Sequence, residues 1–162
     1  MQTILAIDPG TTRSGYVIWN PEGPEIRDRG EVDNEELLTS ITTMSFSMPW
    51  PRACAIEMVA HYGTGMAVGA EVFETCVWIG KFSYAWKLRT LTDPMMVYRR
   101  QVKMFLCGSM QAKDGNIRQA IIDRLGPPGK KSCPGVTYGI SKHLWSALAV
   151  ALAAESNAPT AT

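Results

Sequence analysis

The chain has 162 residues, 46% hydrophobic and 19% charged, with a formal net charge of +1. That length and apolar fraction suit one domain over 1–155, with a polar tail at 156–162, and exclude a disordered protein, a collagen and a small disulfide scaffold. No apolar run reaches the roughly 18 residues of a membrane span, and Met1-Gln2-Thr3-Ile4 lacks the basic and long apolar regions of a secretion signal. In chain order, Thr3-Ile4-Leu5-Ala6-Ile7-Asp8 is a short apolar strand ending in an acid and stopped by Pro9-Gly10. Ser14 to Trp19 resumes strand character, Asn20 to Pro24 is a turn, and Ile26 to Val32 is a third, more polar strand. These predict an antiparallel meander. Asn34 is placed to cap a helix over about 35–46, with Glu35 and Glu36 where the helix dipole favours acids. Ala53-Cys54-Ala55-Ile56-Glu57 is a second buried strand ending in an acid, followed by a Gly-containing loop. From about Ala70 to Trp86 the residues Val72, Phe73, Cys76, Ile79 and Phe82 form an apolar stripe at helical spacing.

Arg89 to Thr92 reads as a short strand, and Asp93-Pro94 as a helix start. Lys113 to Leu125 is an amphipathic helix, 126–139 a Gly/Pro/Lys-rich surface loop, and Ser141 to Glu155 a last helix. Strands first, then strands mixed with helices, predict an α/β fold: one mixed sheet with helices packed on it.

Charge is unevenly spread. Residues 1–80 carry four Arg against eleven acids, a balance of −7, and residues 81–142 carry twelve Lys or Arg against three acids, a balance of +9. A basic block of that density suits a polyanion, nucleic acid foremost, although solvated helix faces account for the charge equally well. The four cysteines (Cys54, Cys76, Cys107, Cys133) form no C-x-x-C pair and have no histidine cluster near them. That disfavours zinc, suits a reducing cytoplasm, and leaves Cys54 and Cys76 as core thiols.

Asp8 and Glu57 each end a buried-type strand, where an unpaired acid is costly. Strand-end acids of this kind hold Mg²⁺ or face a basic partner; a salt bridge or a turn cap explains either one alone equally well.

The residues around them carry more. Ile4-Leu5-Ala6-Ile7-Asp8-Pro9-Gly10-Thr11-Thr12-Arg13-Ser14-Gly15-Tyr16 resembles the first motif of RuvC-type Holliday-junction resolvases, in the RNase H-like superfamily. Ala55-Ile56-Glu57 is similar to the second motif, and Val102 to Ile121, with Gly108, Lys113 and Asn116-Ile117, to the basic third region. His143-Leu144-Trp145-Ser146-Ala147-Leu148-Ala149 resembles the final helix. The segments Glu71 to Gly80 and Lys113 to Ala120 are similar to a phage-encoded branch. Asp8-x-Gly10-Thr11-Thr12 also resembles the phosphate hairpin of sugar kinases and actin-like ATPases. Those need a second such domain and a second phosphate loop, and no P-loop is present, so no nucleotide cofactor is expected.

The resolvase resemblance implies an RNase H-like fold with a mixed five-stranded sheet. It implies symmetric, metal-dependent phosphodiester hydrolysis at four-way DNA junctions, with two Mg²⁺ or Mn²⁺ ions, in the cytoplasm of a bacterial host. Asp8, Glu57 and His143 take the catalytic and metal-binding roles. The chain departs from the pattern at Ser146, where the family offers an acid. His143 and Ser146 share one helical face, and His143 alone is equally a histidine of an exposed first turn. Asp114 is a possible replacement carboxylate. A broader branched-DNA or flap nuclease, and a catalytically weakened junction binder, therefore stand as alternatives. Expected phosphate contacts are Lys81, Arg99, Arg100, Lys103, Lys113, Arg118, Lys130, Lys131 and Lys142. His61 and Tyr62, in the loop after Glu57, are candidates to stack on unpaired bases. Two symmetric cuts call for a homodimer, and by the resemblance its helix is the stripe along 70–86, with Trp78 and Trp86.

Overall fold

The computed structural model describes residues 3–60, 65 and 67–157. Three strands open the chain, β1 (Ile4–Asp8), β2 (Arg13–Asn20) and β3 (Glu25–Asp33), paired antiparallel as the turn residues predict. Helix α1 (Asn34–Thr43) leads to β4 (Ala53–Met58), and the long α2 (Ala70–Thr90) to β5 (Met95–Tyr98). Then follow α3 (Arg99–Cys107), α4 (Asp114–Leu125), a two-residue hairpin of β6 (Gly129–Lys130) and β7 (Cys133–Pro134), and α5 (Lys142–Asn157). The five long strands form one sheet in the order β3-β2-β1-β4-β5, with β4 parallel to β1 and β5 parallel to β4. This is the mixed sheet the element order predicts, with the five strands the resolvase resemblance implies. Among the described residues no helix is long and apolar enough to cross a membrane.

Strand alternation divides the core in two. Ile4, Ala6, Val17, Trp19, Ala55 and Val97 face α5, which α3 and α4 cover from outside. Leu5, Ile7, Ile18, Cys54 and Ile56 face α1 and α2 and meet Leu37, Ile41, Phe82 and Trp86. Helix α5 is apolar all round, with Ala147 to Ala154 fully buried, as expected of a helix enclosed on every side. Its far end is tied down by Glu155, which accepts from Trp19 Nε1 at 3.1 Å and lies 4.0 Å from Arg124.

Several boundaries differ from the sequence reading, each for a tertiary reason. Asp93-Pro94 does not start a helix. Met95-Met96-Val97-Tyr98 finds a parallel partner in Ala55 to Met58, and Val97 is buried in the α5-side core, so strand pairing overrides the local helix signal. The helix starts instead at Arg99, capped by Tyr98, whose N–H donates to Gln101 Oε1 at 2.8 Å. Arg89 and Thr90 belong to α2, which ends at Leu91 in the left-handed region. Helix α1 stops at Thr43 rather than 46, with Met44 at φ 52°. The loop at 126–139 contains the β6–β7 hairpin, and α5 runs past Glu155 to Asn157.

Asn34 is not the cap of α1 but its first residue, and it is buried. Its side-chain nitrogen donates to Gly10 O at 2.9 Å and its Oδ1 accepts from Ser14 Oγ at 2.6 Å, while Gly10 N–H donates to Ser14 Oγ at 3.2 Å. The β1–β2 turn is thereby pinned from below. It needs glycine at position 10, where a Cβ would run into the carbonyl oxygen of Arg13.

Candidate active site

Asp8 is the last residue of β1 and Glu57 lies near the end of β4. The register Ile7↔Ile56 puts the two side by side, both on the α5 side of the sheet by alternation. Both side chains are largely buried, 18% and 14% exposed. The first turn of α5 brings His143, whose Nδ1 lies 3.3 Å from Asp8 Oδ2. Gly15 permits that approach. It pairs with Asp8 across the β1–β2 ladder, and a Cβ there would stand 3.1 Å from the Cβ, carbonyl carbon and oxygen of His143. Even a methyl at position 15 would displace the start of α5 by a few tenths of an ångström.

Burial pushes the Asp8 carboxyl up, against His143 and Arg99, which favour its charged form. Glu57 is pushed up to about 7, first by burial and then by the Asp8 charge, with Arg99 pulling the other way. Two carboxyls this close resist ionising together. Burial and the Asp8 charge together favour the protonated form of Glu57.

Arg99, the first residue of α3, follows β5 directly and places its guanidinium 3.7 Å from Glu57 Oε1. Its other arm pairs with Asp114, the first residue of α4. The sequence reading took Arg99 as a phosphate contact and missed its bond to Glu57. Arg99 and Arg100 occupy the first turn of α3, which has no acid in it, the end the dipole makes unfavourable for cations. Such a residue needs carboxylate partners from elsewhere.

Asp8, Arg99, Asp114 and His143 line a cleft of about 560 Å³ together with Arg118 and Lys142, and Glu57 sits beside Asp8 outside that lining. Arg118 lies over the Trp145 ring at 5.0 Å. Ser146 also lines the cleft, on the His143 face of α5, and Lys113 is exposed at the start of α4 beside Asp114. The other basic residues are dispersed. Arg100 and Lys103 are on α3 but do not line the cleft, and Lys130 and Lys131 are exposed in the β6–β7 hairpin. Lys81 sits on α2, across the sheet, with its Nζ 4.0 Å from the Trp78 ring centre. His61 and Tyr62 lie outside the described residues.

Among the described residues no three His, Cys, Asp or Glu side chains converge on one metal position. His143 touches Asp8, and Asp8 touches Glu57. Adjacent carboxylates are nonetheless the donors a hard divalent cation takes, and their mutual repulsion is what such an ion relieves. The pair therefore fits a cation.

No protein-family model and no curated protein sequence matches the chain. Solved structures do. The chain superposes on Thermus thermophilus RuvC in complex with a Holliday junction substrate with a TM-score of 0.70 at 18% identity, covering 94% of this chain and 92% of that one. A second Thermus thermophilus RuvC structure gives a TM-score of 0.68 at 20% identity, over 93% and 92%. The fold is that of RuvC, from the first strand to the last helix.

Proposed function

We propose that this chain is a structure-selective, divalent-cation-dependent endonuclease that cuts four-way DNA junctions as a homodimer. The observation that supports it best is Asp8, lining a cleft with Arg99, Arg118 and Lys142 and flanked by Glu57 on the neighbouring parallel strand, in a chain with the fold of RuvC. Asp8 and Glu57 would hold the cation, which when bound supplies Lewis-acid activation of a water and neutralises the phosphate. His143 keeps Nδ1 toward Asp8 and offers its other ring nitrogen to the reacting groups. Arg118, Lys142 and Lys113 are placed to hold DNA phosphates along the cleft; such contacts position the strand without reading sequence.

Two symmetric cuts need two sites related by a two-fold axis. The dimer face cannot include Trp86, which is fully buried against the sheet with Nε1 donating to Thr92 Oγ1 at 3.2 Å. The outer face of α2 instead exposes Phe73, Val77, Tyr84 and Leu88, at spacings that share one side of a helix. Gly80 lies on that side with nothing among the described residues within 4 Å of a would-be Cβ, so no packing among them requires it. A mid-helix glycine costs about 1 kcal/mol relative to alanine, and close approach of a second α2 would account for it.

Ser146, standing where the resemblance calls for an acid, favours one competing reading: junction binding with little cutting. Four-way, three-way, flap and linear DNA, incubated with Mg²⁺ or Mn²⁺, separate these readings. Paired nicks in the four-way junction are expected. Asp8→Asn should lower cleavage by at least about a thousandfold while junction binding persists. Cleavage by Asp8→Asn at the wild-type rate would remove the assignment, and binding without cutting by the unaltered protein would establish the competing reading.

A further inference from the structure

We propose that the Arg99 guanidinium stands in for a second cation, so that each cleft takes one divalent ion rather than two. This rests on the reading above that Asp8 and Glu57 hold a divalent cation, and it concerns how many.

Donor supply is the first argument. Ions such as Mg²⁺ take about six oxygens and gain most from anionic ones. Two of them beside an anionic phosphate need carboxylates on both. The cleft is lined by Asp8, with Glu57 beside it on β4, and along α5 by the imidazole of His143 and the hydroxyl of Ser146. Its remaining acid, Asp114, is paired with Arg99.

The second argument is position. Arg99 lies 3.7 Å from Glu57 and is only 27% exposed. A fixed positive charge there satisfies the outer oxygen of Glu57 and repels a second dication at that place, an interaction that grows as the site loses water. Because a guanidinium does not deprotonate in proteins, this charge is permanent.

Asp114 explains how the same group can serve a substrate. Its side chain is 80% exposed, and an ion pair at that exposure is weak. An incoming phosphate can replace Asp114 on one arm of Arg99 while the other arm stays at Glu57. The planar fork suits phosphate as it suits carboxylate. Asp114 then holds the guanidinium in place before DNA arrives and is not a metal ligand.

The test is Mn²⁺ binding to the full chain without DNA, by calorimetry and by the electron paramagnetic resonance signal of free Mn²⁺. The proteins compared are wild type, Arg99→Gln, Arg99→Lys and Asp114→Asn. One Mn²⁺ per chain is expected for wild type, Arg99→Lys and Asp114→Asn. Arg99→Gln should bind its ion about tenfold more tightly, because a repelling charge is gone. Arg99→Lys controls for folding and should stay within about twofold of wild type. Two ions per wild-type chain, no tightening in Arg99→Gln, or loss of the ion in Asp114→Asn would each overturn the proposal. Two ions together with Asp8-dependent junction cleavage would remove this inference and leave the nuclease reading standing. No saturable binding at all would remove the metal reading as well.

Discussion

The two faces of the sheet are built from different materials. On the α1–α2 side the core is bulky: Phe46, Phe82 and Trp86 fill the space, and the helices stand off from the strands. On the α5 side the helix positions that share a face with His143 are Ala147, Val150, Ala151 and Ala154, and at the mouth of the cleft the strand offers Gly15. Small residues let α5 lie close to β1 and β2, and closeness brings His143 within reach of Asp8. Both faces supply stability through buried area. The α5 face also gives up side-chain volume, at Gly15 and Ala147, for placement. Damage at the bulky residues should therefore appear in folding and damage at the small ones beside His143 in chemistry.

The largest expected effect tests the bulky face. Trp86→Ala removes a fully buried indole and should cost about 3–5 kcal/mol of stability, since the surrounding core closes the void only in part. Cleavage per folded molecule, measured well below the lowered melting temperature, should stay near wild type. A selective loss of cleavage with stability intact would show that the faces are not separable.

A smaller change tests the close-packed face. Gly15 is extended, so alanine is free of backbone strain there; what it adds is a methyl 3.1 Å from the start of α5. The helix must move by a few tenths of an ångström. That should cost about 1 kcal/mol of stability and lower cleavage about tenfold, because reacting groups tolerate little displacement. Asp8→Asn and Gly15→Ala should then differ in kind: the first abolishes the donor, the second misplaces His143 relative to it. Equal activity of Gly15→Ala and wild type would mean that the His143–Asp8 contact is unimportant.

The contrast between the faces also explains what was legible beforehand. Strands β1, β2 and β4, the mixed sheet and the apolar last helix follow from alternation and from the turn residues, because those signals are local. Asp8 and Glu57 stood out as acids closing apolar runs. The bond from Arg99 to Glu57 did not, because it depends on β5 pairing beside β4, and Asp93-Pro94 argued locally for a helix instead. Asn34 looked like an ordinary cap, since nothing in its neighbours reveals that it folds back onto Gly10 and Ser14. On α2 the predicted stripe divides: Ile79 and Phe82 are buried, while Val72 and Phe73 are exposed, Phe73 by 61%. A helix carrying apolar residues on both its inner and outer sides has no single periodic stripe to read.

The smallest effect is also the most diagnostic of where ionisation sits. Without metal, the folded chain keeps a proton on Glu57 up to about pH 7, whereas a free glutamate gives it up near 4.5. Between those values the folded state binds more protons than the unfolded state, so stability falls as pH rises. The contribution is fully present below about pH 4.5 and is lost as pH climbs through about 7. On the opposite face, burial pushes the Cys54 thiol and the Tyr16 hydroxyl upward, Tyr16 to about 12, so neither titrates in that window. In chelator, the melting temperature should therefore drop by about several degrees between pH 5 and 8. Glu57→Gln, neutral throughout, should flatten that slope, and saturating Mn²⁺ should remove it in the wild type by favouring the charged pair. An unchanged slope in Glu57→Gln would place the titrating group elsewhere and would separate the buried carboxyl pair from the pH response of the fold.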